Sequence, residues 1–409
     1  MDEKVGSIIV GGGQAGLSLS YYLKGAGREH IILEKSAQVG DAWRNRRWDS
    51  FTLVTPNWSF QLPGAGYMDS EPEGFMPKEE IIRRFERYEQ KIVFPIRYST
   101  EVTCVQPLED KPGYQVFTGN TIYEAKNVII ATGRYQKVKI PKFAGHIPAK
   151  VVQISSDAYK NPQSLPPGAV LVVGSGQSGC QIAEELHESG RKVFLSTGST
   201  GRVPRRYRGK DSFDWNYQTG WYDRTLDMLP DLQARSVPIP HLSGKNGGHE
   251  VNLHQFCQDG IILLGHTIGY QAGKLNFAPD LKENLAREDK FAVNFCKMTD
   301  EYIHKTGIEA PLEEVRFLSD GYLAPDILSL DVNAEKISSI IWAGGYSFDY
   351  SLVRYPLLDP HGYPIGNHGI TQYPGLYLLG MPWMNKMKSS FLVGINESAQ
   401  YLAEYICNK

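Results

Sequence analysis

Val5-Gly6-Ser7-Ile8-Ile9-Val10-Gly11-Gly12-Gly13-Gln14-Ala15-Gly16-Leu17-Ser18-Leu19-Ser20 runs from an apolar, β-branched stretch through a glycine cluster into a helix-forming stretch. That order reads as strand, tight turn and helix start. Gly11, Gly13 and Gly16 have the spacing G-x-G-x-x-G, which carries a mechanical meaning in this context. The first glycine makes the turn, the second leaves no side chain in the path of a phosphate, and the third lets helix and strand pack closely. Gln14 and Ala15 open the helix, whose free N–H groups favour an anion. His30 to Leu33 reads as the next strand and ends in Glu34 and Lys35. A carboxylate at that strand end is placed to accept hydrogen bonds from ribose hydroxyls.

The same grammar returns later in the chain. Ala169 to Val173 reads as a strand, Gly174-Ser175-Gly176-Gln177-Ser178-Gly179 repeats the spacing, Gln181 to Glu188 is helical, and Lys192 to Leu195 is a second strand. Here the strand ends in Ser196 and Thr197 with no acid, and Arg202, Arg205, Arg206 and Arg208 follow. Hydroxyls and guanidinium groups suit a 2′-phosphate, which a carboxylate would repel. The first unit is therefore expected to hold FAD and the second NADPH rather than NADH, with Thr197, Arg202 and Arg205 as candidate phosphate ligands.

The fold class expected is α/β, with two Rossmann-like dinucleotide-binding domains. Residues 1–165 and 331–409 are assigned to an FAD domain that is discontinuous in sequence. Residues 166–330 are assigned to an NADPH domain with a helical and loop insertion. The proline-containing stretch Asn161 to Gly168 is the expected crossing. An aromatic segment from Trp43 to Tyr67, a charged helix from Lys78 to Lys91, and strands at Val102 to Val105 and Tyr114 to Phe117 belong to the first domain on this reading. Arg202 to Trp221 reads as a basic, aromatic loop, Ile261 to Leu264 as a strand, and Leu281 to His304 as a helix. Ile337 to Trp342 and Gly375 to Gly380 are expected to be strands returning to the first domain. Val128 to Ile130 is a buried-type strand ending in Ala131-Thr132-Gly133, and Ala343-Gly344-Gly345 is a similar end.

Composition narrows the function further. A net charge of -2 with no run of like charge supplies no field for nucleic acid. The first apolar run enters its turn by Gly11, leaving no room for a secretory h-region, and no stretch approaches the roughly 20 apolar residues of a membrane span. The 5 cysteines are odd in number, far apart and without a C-x-x-C pair. They read as reduced thiols of a cytoplasmic protein, not as a dithiol relay or a zinc site. The histidines between His241 and His254 match no standard ligand spacing, so no metal is expected. No Ser-His-Asp or paired-carboxylate set stands out, which leaves the chemistry to the cofactors. A homodimer is compatible with this composition.

Two fingerprints with Ala131-Thr132-Gly133 between them resemble the class B flavin-dependent monooxygenases, which include flavin-containing monooxygenases, plant YUCCA enzymes and bacterial CzcO-like flavoproteins. The resemblance extends to Gly40-Asp41-Ala42-Trp43, similar to the family's segment beside the flavin. It also takes in Pro374 to Gly380, similar to the strand ending at the flavin ribityl and pyrophosphate. It implies cofactor contacts for Trp43 and Gly380. It also implies a catalytic role for Asn57, near the family's Thr-Asn step, although Pro56 intervenes here. The F-x-G-x-x-x-H signature is incomplete: Ser155 stands where histidine is expected, and Phe143 and Gly145 lie too far upstream. That departure sets the chain nearer the CzcO-like branch than the Baeyer–Villiger enzymes.

The activity implied is that NADPH reduces FAD, O2 reacts at flavin C4a, and one oxygen atom passes to a small organic substrate. That substrate would be an N or S nucleophile, or an oxo acid such as indole-3-pyruvate. The alternatives are an NADPH oxidase or reductase, and a flavin redox sensor linked to cation transport. Trp58, Phe60, Tyr67, Trp215, Trp221 and Trp383 are the candidates for lining a substrate pocket.

Overall fold

The computed structural model describes residues 2–236 and 239–409. Its first sheet grows from β1 (Asp2–Val10), β2 (His30–Leu33), β3 (Ile96–Arg97), β4 (Val102–Pro107), β5 (Tyr114–Thr118) and β6 (Ile122–Ile130). They lie in the order β3-β2-β1-β6-β5-β4. β1 pairs in parallel with both β2 and β6, Ile9 facing Ile32 on one side and Ile129 on the other. A strand enclosed on both edges and both faces needs apolar residues without alternation, and Ile8, Ile9 and Ile129 are fully buried. β5 joins β6, and β4 joins β5, in antiparallel fashion.

The second sheet contains β7 (Val152–Ser155), β8 (Ala169–Val173), β9 (Val193–Ser196), β10 (Ile262–Leu264) and β11 (Ile337–Trp342), in the order β7-β11-β8-β9-β10 with every pair parallel. β12 (Leu376–Leu378) returns to the first sheet beside β6, as expected. Ile337–Trp342 does not return there. It lies between β7 and β8, and β7 itself comes from the stretch assigned to the first domain. A central parallel strand of either sheet shows the same apolar run, so the pattern of Ile337 to Trp342 has no bearing on which sheet it joins.

Helices cover the sheets. α1 (Gln14–Gly25) leaves the first glycine turn, and its Tyr22 hydroxyl donates to Asn396 of α8 (Ile395–Cys407). α2 is the short Asp41–Asn45. α3 (Lys78–Ile92) buries Ile81, Phe85 and Tyr88, while Glu80 pairs with Arg83, Arg84 and Arg87 on another face. α4 (Gln177–Glu188) leaves the second glycine turn.

The stretch read as a basic loop is more ordered than that. It contains a short hairpin, Arg206–Tyr207 with Lys210–Asp211, and α5 (Ser212–Gln218). Trp215 is fully buried there, its indole N–H donating to the Tyr207 carbonyl at 2.6 Å. α6 (Leu253–Asp259) and α7 (Leu281–Thr306) complete the set, α7 stopping at Gly307 in the left-handed conformation. Among the described residues no helix is long and apolar enough to cross a membrane.

Ile340 is fully buried at the point where β11 joins β7 to β8. Ile340→Ala should therefore cost about 2–5 kcal/mol of stability, read as a lower urea midpoint at unchanged slope.

Candidate dinucleotide site

In both glycine turns the chain bends where a side chain has no room. Gly11 has φ +110°, and a Cβ there would lie 2.6 Å from the Ala131 carbonyl oxygen; Gly174 has φ +109°, and its Cβ would lie 2.6 Å from the Ala343 carbonyl oxygen. The third glycines are tighter still. A Cβ on Gly16 would sit 2.0 Å from the Gly11 oxygen, and one on Gly179 would sit 1.8 Å from the Gly174 oxygen. The middle glycines behave differently. A Cβ on Gly13 meets nothing within 4 Å, and one on Gly176 meets only the Thr200 hydroxyl at 3.7 Å.

Both middle glycines cap their helices in nearly the same extended conformation, and neither has a side-chain cap. The first N–H groups of α1 and α4 are thus left to whatever lies in front of them. In front lies a cavity of about 1370 Å³, lined by Gly11 to Ala15 on one side and Gly174 to Ser178 on the other. Ligand pockets usually hold about 300–1,000 Å³, so this one suits more than a single small molecule.

On the first side, Glu34 accepts the Gly12 N–H at 2.6 Å and the Ser36 N–H at 2.8 Å. A carboxylate offers about four acceptor positions, so capacity for ribose hydroxyls remains. Lys35, Trp43, Ala131, Thr132, Gly133 and Gly380 share the same cavity wall. Gly380 has φ +84°, and a Cβ there would strike Ala15 at 2.7 Å. Arg47 lies over the rings of Trp43, Phe51 and Tyr135.

Asn57 is placed otherwise. It is buried outside the cavity lining, and its amide nitrogen donates to the Glu71 carbonyl at 2.9 Å. The short 3-10 turn begun after Pro56 commits this amide to the neighbouring loop, so the expected catalytic position does not materialise.

On the second side the arginines correct the expectation most. Arg202 is fully buried and paired with Glu250 at 2.5 Å and Asp289 at 2.7 Å. Arg205 is paired with Asp211 at 2.7 Å and donates to the Val54 carbonyl at 2.9 Å. Neither lines the cavity. Guanidinium groups that deep need carboxylate partners, and once paired they are not available to a phosphate.

Thr197 does line the cavity, but its hydroxyl proton goes to the Leu264 carbonyl at 2.8 Å. The groups left beyond the β9 end are Ser199, Thr200, His266 and Arg287, the last exposed on α7 and bonded to Asn284 at 3.0 Å. Arg287 lies 90 positions beyond Thr197. No motif spacing points to it.

A buried group braces the second turn from behind. The His241 ring bonds the Ser175 carbonyl at 3.1 Å through Nδ1 and the Glu288 carboxylate at 2.8 Å through Nε2, and all of it is shut away from solvent. Burial works against a charged imidazole; the hydrogen bond and negative charge of the adjoining Glu288 favour it, and the His241 pKa is held above the usual range. Among the described residues no group of three or more His, Cys, Asp or Glu is placed to hold a metal.

The profile of the pyridine nucleotide-disulphide oxidoreductase family matches residues 8–212. A CzcO-like uncharacterized oxidoreductase of Geobacillus kaustophilus is 34% identical over 411 residues, spanning 100% of both chains. Probable indole-3-pyruvate monooxygenase YUCCA3 of Arabidopsis thaliana is 27% identical over 240 residues, 55% of each chain. In fold, a flavin-containing monooxygenase from Stenotrophomonas maltophilia overlays with a TM-score of 0.65 across 99% of both chains, at 19% identity.

Gly13→Val should yield a folded protein without visible flavin absorbance, because its side chain enters the open space before α1; Gly176→Val should keep its flavin while NADPH affinity drops. Gly16→Ala should instead fail to accumulate as folded protein. Arg287→Gln should raise the dissociation constant for NADPH about tenfold and leave that for NADH nearly unchanged, both read by titration. Equal effects on the two nucleotides would remove Arg287 from the phosphate site.

Proposed function

The chain belongs to the pyridine nucleotide-disulphide oxidoreductase family, among its CzcO-like members, and from that premise we propose that it is an FAD- and NADPH-dependent monooxygenase acting on a small organic substrate. The observation that carries the reading is the single cavity reached by both glycine turns. Hydride transfer needs the nicotinamide and flavin rings in contact, and two nucleotide sites opening into one space allow that contact without a large domain movement. Once bound, the flavin supplies the electron transfer and the oxygen chemistry.

The protein's own part is to bind, orient and exclude water. Gly11 to Gly16 and Gly174 to Gly179 receive the two pyrophosphates, Glu34 the FAD ribose, and Ser199, Thr200 and Arg287 the NADPH 2′-phosphate. Gln14 and Gln177 hold equivalent places in the two fingerprints and tie each turn to a further segment of the lining. Gln14 donates to the Ser390 carbonyl at 2.8 Å, and Gln177 accepts the Leu242 N–H at 2.9 Å while donating to the Leu242 carbonyl. The cavity wall is mostly apolar between these anchors, which favours keeping water from a reactive intermediate.

The family's description also names disulfide chemistry. That reading needs a thiol pair at the flavin, and none of the 5 cysteines lines the cavity. Cys180, beside the second turn, is fully buried with its thiol directed to the Ser175 carbonyl. Burial raises its pKa and keeps it protonated.

Stopped-flow absorbance tests the proposal. NADPH-reduced protein mixed with oxygenated buffer should show a lag before the oxidised flavin spectrum returns. Immediate return with one hydrogen peroxide released per NADPH would point to an oxidase.

A further inference from the structure

The aromatics picked out in the sequence do not line the cavity; they stand behind it. Trp58 packs on Phe213 at 5.5 Å between ring centroids, and Trp221 and Trp383 lie against the same cluster. In front of them is a part of the cavity wall, here called the chamber, to which Phe213, Asn216, Tyr222, Leu242, Phe391 and Val393 contribute. Its rings interlock, Phe213 on Tyr222 at 4.9 Å and Tyr222 on Phe391 at 5.5 Å. Gln14 ties Ser390, next to Phe391, to the first glycine turn, and Gln177 ties Leu242 to the second.

The charges around this chamber are unusual for an enzyme that would take an acid. The cationic side chains lining the whole cavity are Lys35, Arg46, Arg47, Arg134 and Arg287, and His266 also lines it. Lys35 and Arg287 belong to the adenosine ends, while Arg46, Arg47 and Arg134 adjoin Trp43 and the Ala131-Thr132-Gly133 strand end. None comes from the chamber wall.

Behind the wall, Arg205 is neutralised by Asp211, and Lys388 by Asp223 and Glu397. Arg224 has no carboxylate partner among the described residues, but it stacks on Trp221 at 4.2 Å, donates to the Trp221 carbonyl and does not reach the cavity. The one carboxylic acid on α5 is Asp214. Burial, with Glu73 and Asp211 nearby, pushes its pKa up to about 7.

Among the wall's polar groups Asn216 stands out, 3% exposed yet facing the cavity, with the Tyr222 hydroxyl beside its amide. We propose that this chamber selects a neutral aromatic or flat apolar substrate whose single hydrogen-bonding group is read by Asn216, and that it rejects carboxylates. A carboxylate brought into this wall would lose its hydration without gaining a cation. The inference rests on the monooxygenase reading for its substrate, and it disfavours an oxo acid within that reading.

Phenylacetamide and phenylacetate share a shape and differ in charge, which makes them suitable probes. Each is titrated into the oxidised, FAD-loaded protein, with perturbation of the flavin absorbance as the readout, so no turnover is needed. Phenylacetamide should bind saturably and phenylacetate at least about tenfold more weakly. Asn216→Lys, with flavin retained, should reverse that order. Equal or tighter binding of phenylacetate to the unmodified protein would overturn the proposal, as would no perturbation by either compound up to millimolar concentration. A missing lag in the oxygen experiment would defeat the monooxygenase reading without touching this binding order.

Discussion

Two contacts between a backbone carbonyl and a glycine carry the architecture: the Gly11 oxygen against Gly16, and the Gly174 oxygen against Gly179. Each lets a helix start immediately after its strand and packs the first turn of that helix onto the strand it has just left. The carbonyls of Ala131 and Ala343 close in behind Gly11 and Gly174 with the same spacing. The similarity of the two turns extends to the backbone angles of Gly13 and Gly176. With both helix starts opening on one cavity, the remaining chain has to wall that space, join the two halves and keep polar groups satisfied.

The two turns are supported by different physics. Behind the first lies an apolar sheet, and Glu34 ties Gly12 from the front. Behind the second lies a layer of buried charge, in which Arg202, Glu250, His254 and Asp289 join His241 and Glu288. Burial opposes the Asp289 charge, but hydrogen bonds from His254, Arg202 and Tyr322 outweigh it and hold its pKa at about 2. Buried ion pairs add little net stability against an apolar replacement, because desolvation offsets most of the attraction. Their effect here is geometric: Arg202 is fixed between Glu250 and Asp289, and the Ser175 carbonyl is held by His241.

Local pattern accounts well for the sheet strands and the long helices. His30 to Leu33 and Ala169 to Val173 fall where apolar runs meet glycines, and Leu281–Thr306 follows its periodic burial of Leu281, Leu285, Ala292, Phe295 and Ile303. Pattern fails where the answer depends on a partner distant in sequence. Ile337–Trp342 reads as a buried strand and is one, yet its sheet is chosen by β7 and β8. Arg202 and Arg205 read as free cations because Glu250, Asp289 and the fold around Asp211 are invisible in the local run.

Residues 5 to 34 and 169 to 197 therefore specify two dinucleotide units, because strand, glycine turn, helix and terminal acid act through contacts within about thirty residues. Glu34 at the first strand end, and the lack of an acid at Ser196 and Thr197, already make the two units chemically different. The ion pairs of Arg202 and Arg205, the burial of Asn57 and the placing of Asn216 at the cavity arise only on folding. Each depends on which side chains long-range packing buries, and a buried charge is spent on its nearest partner before any ligand arrives.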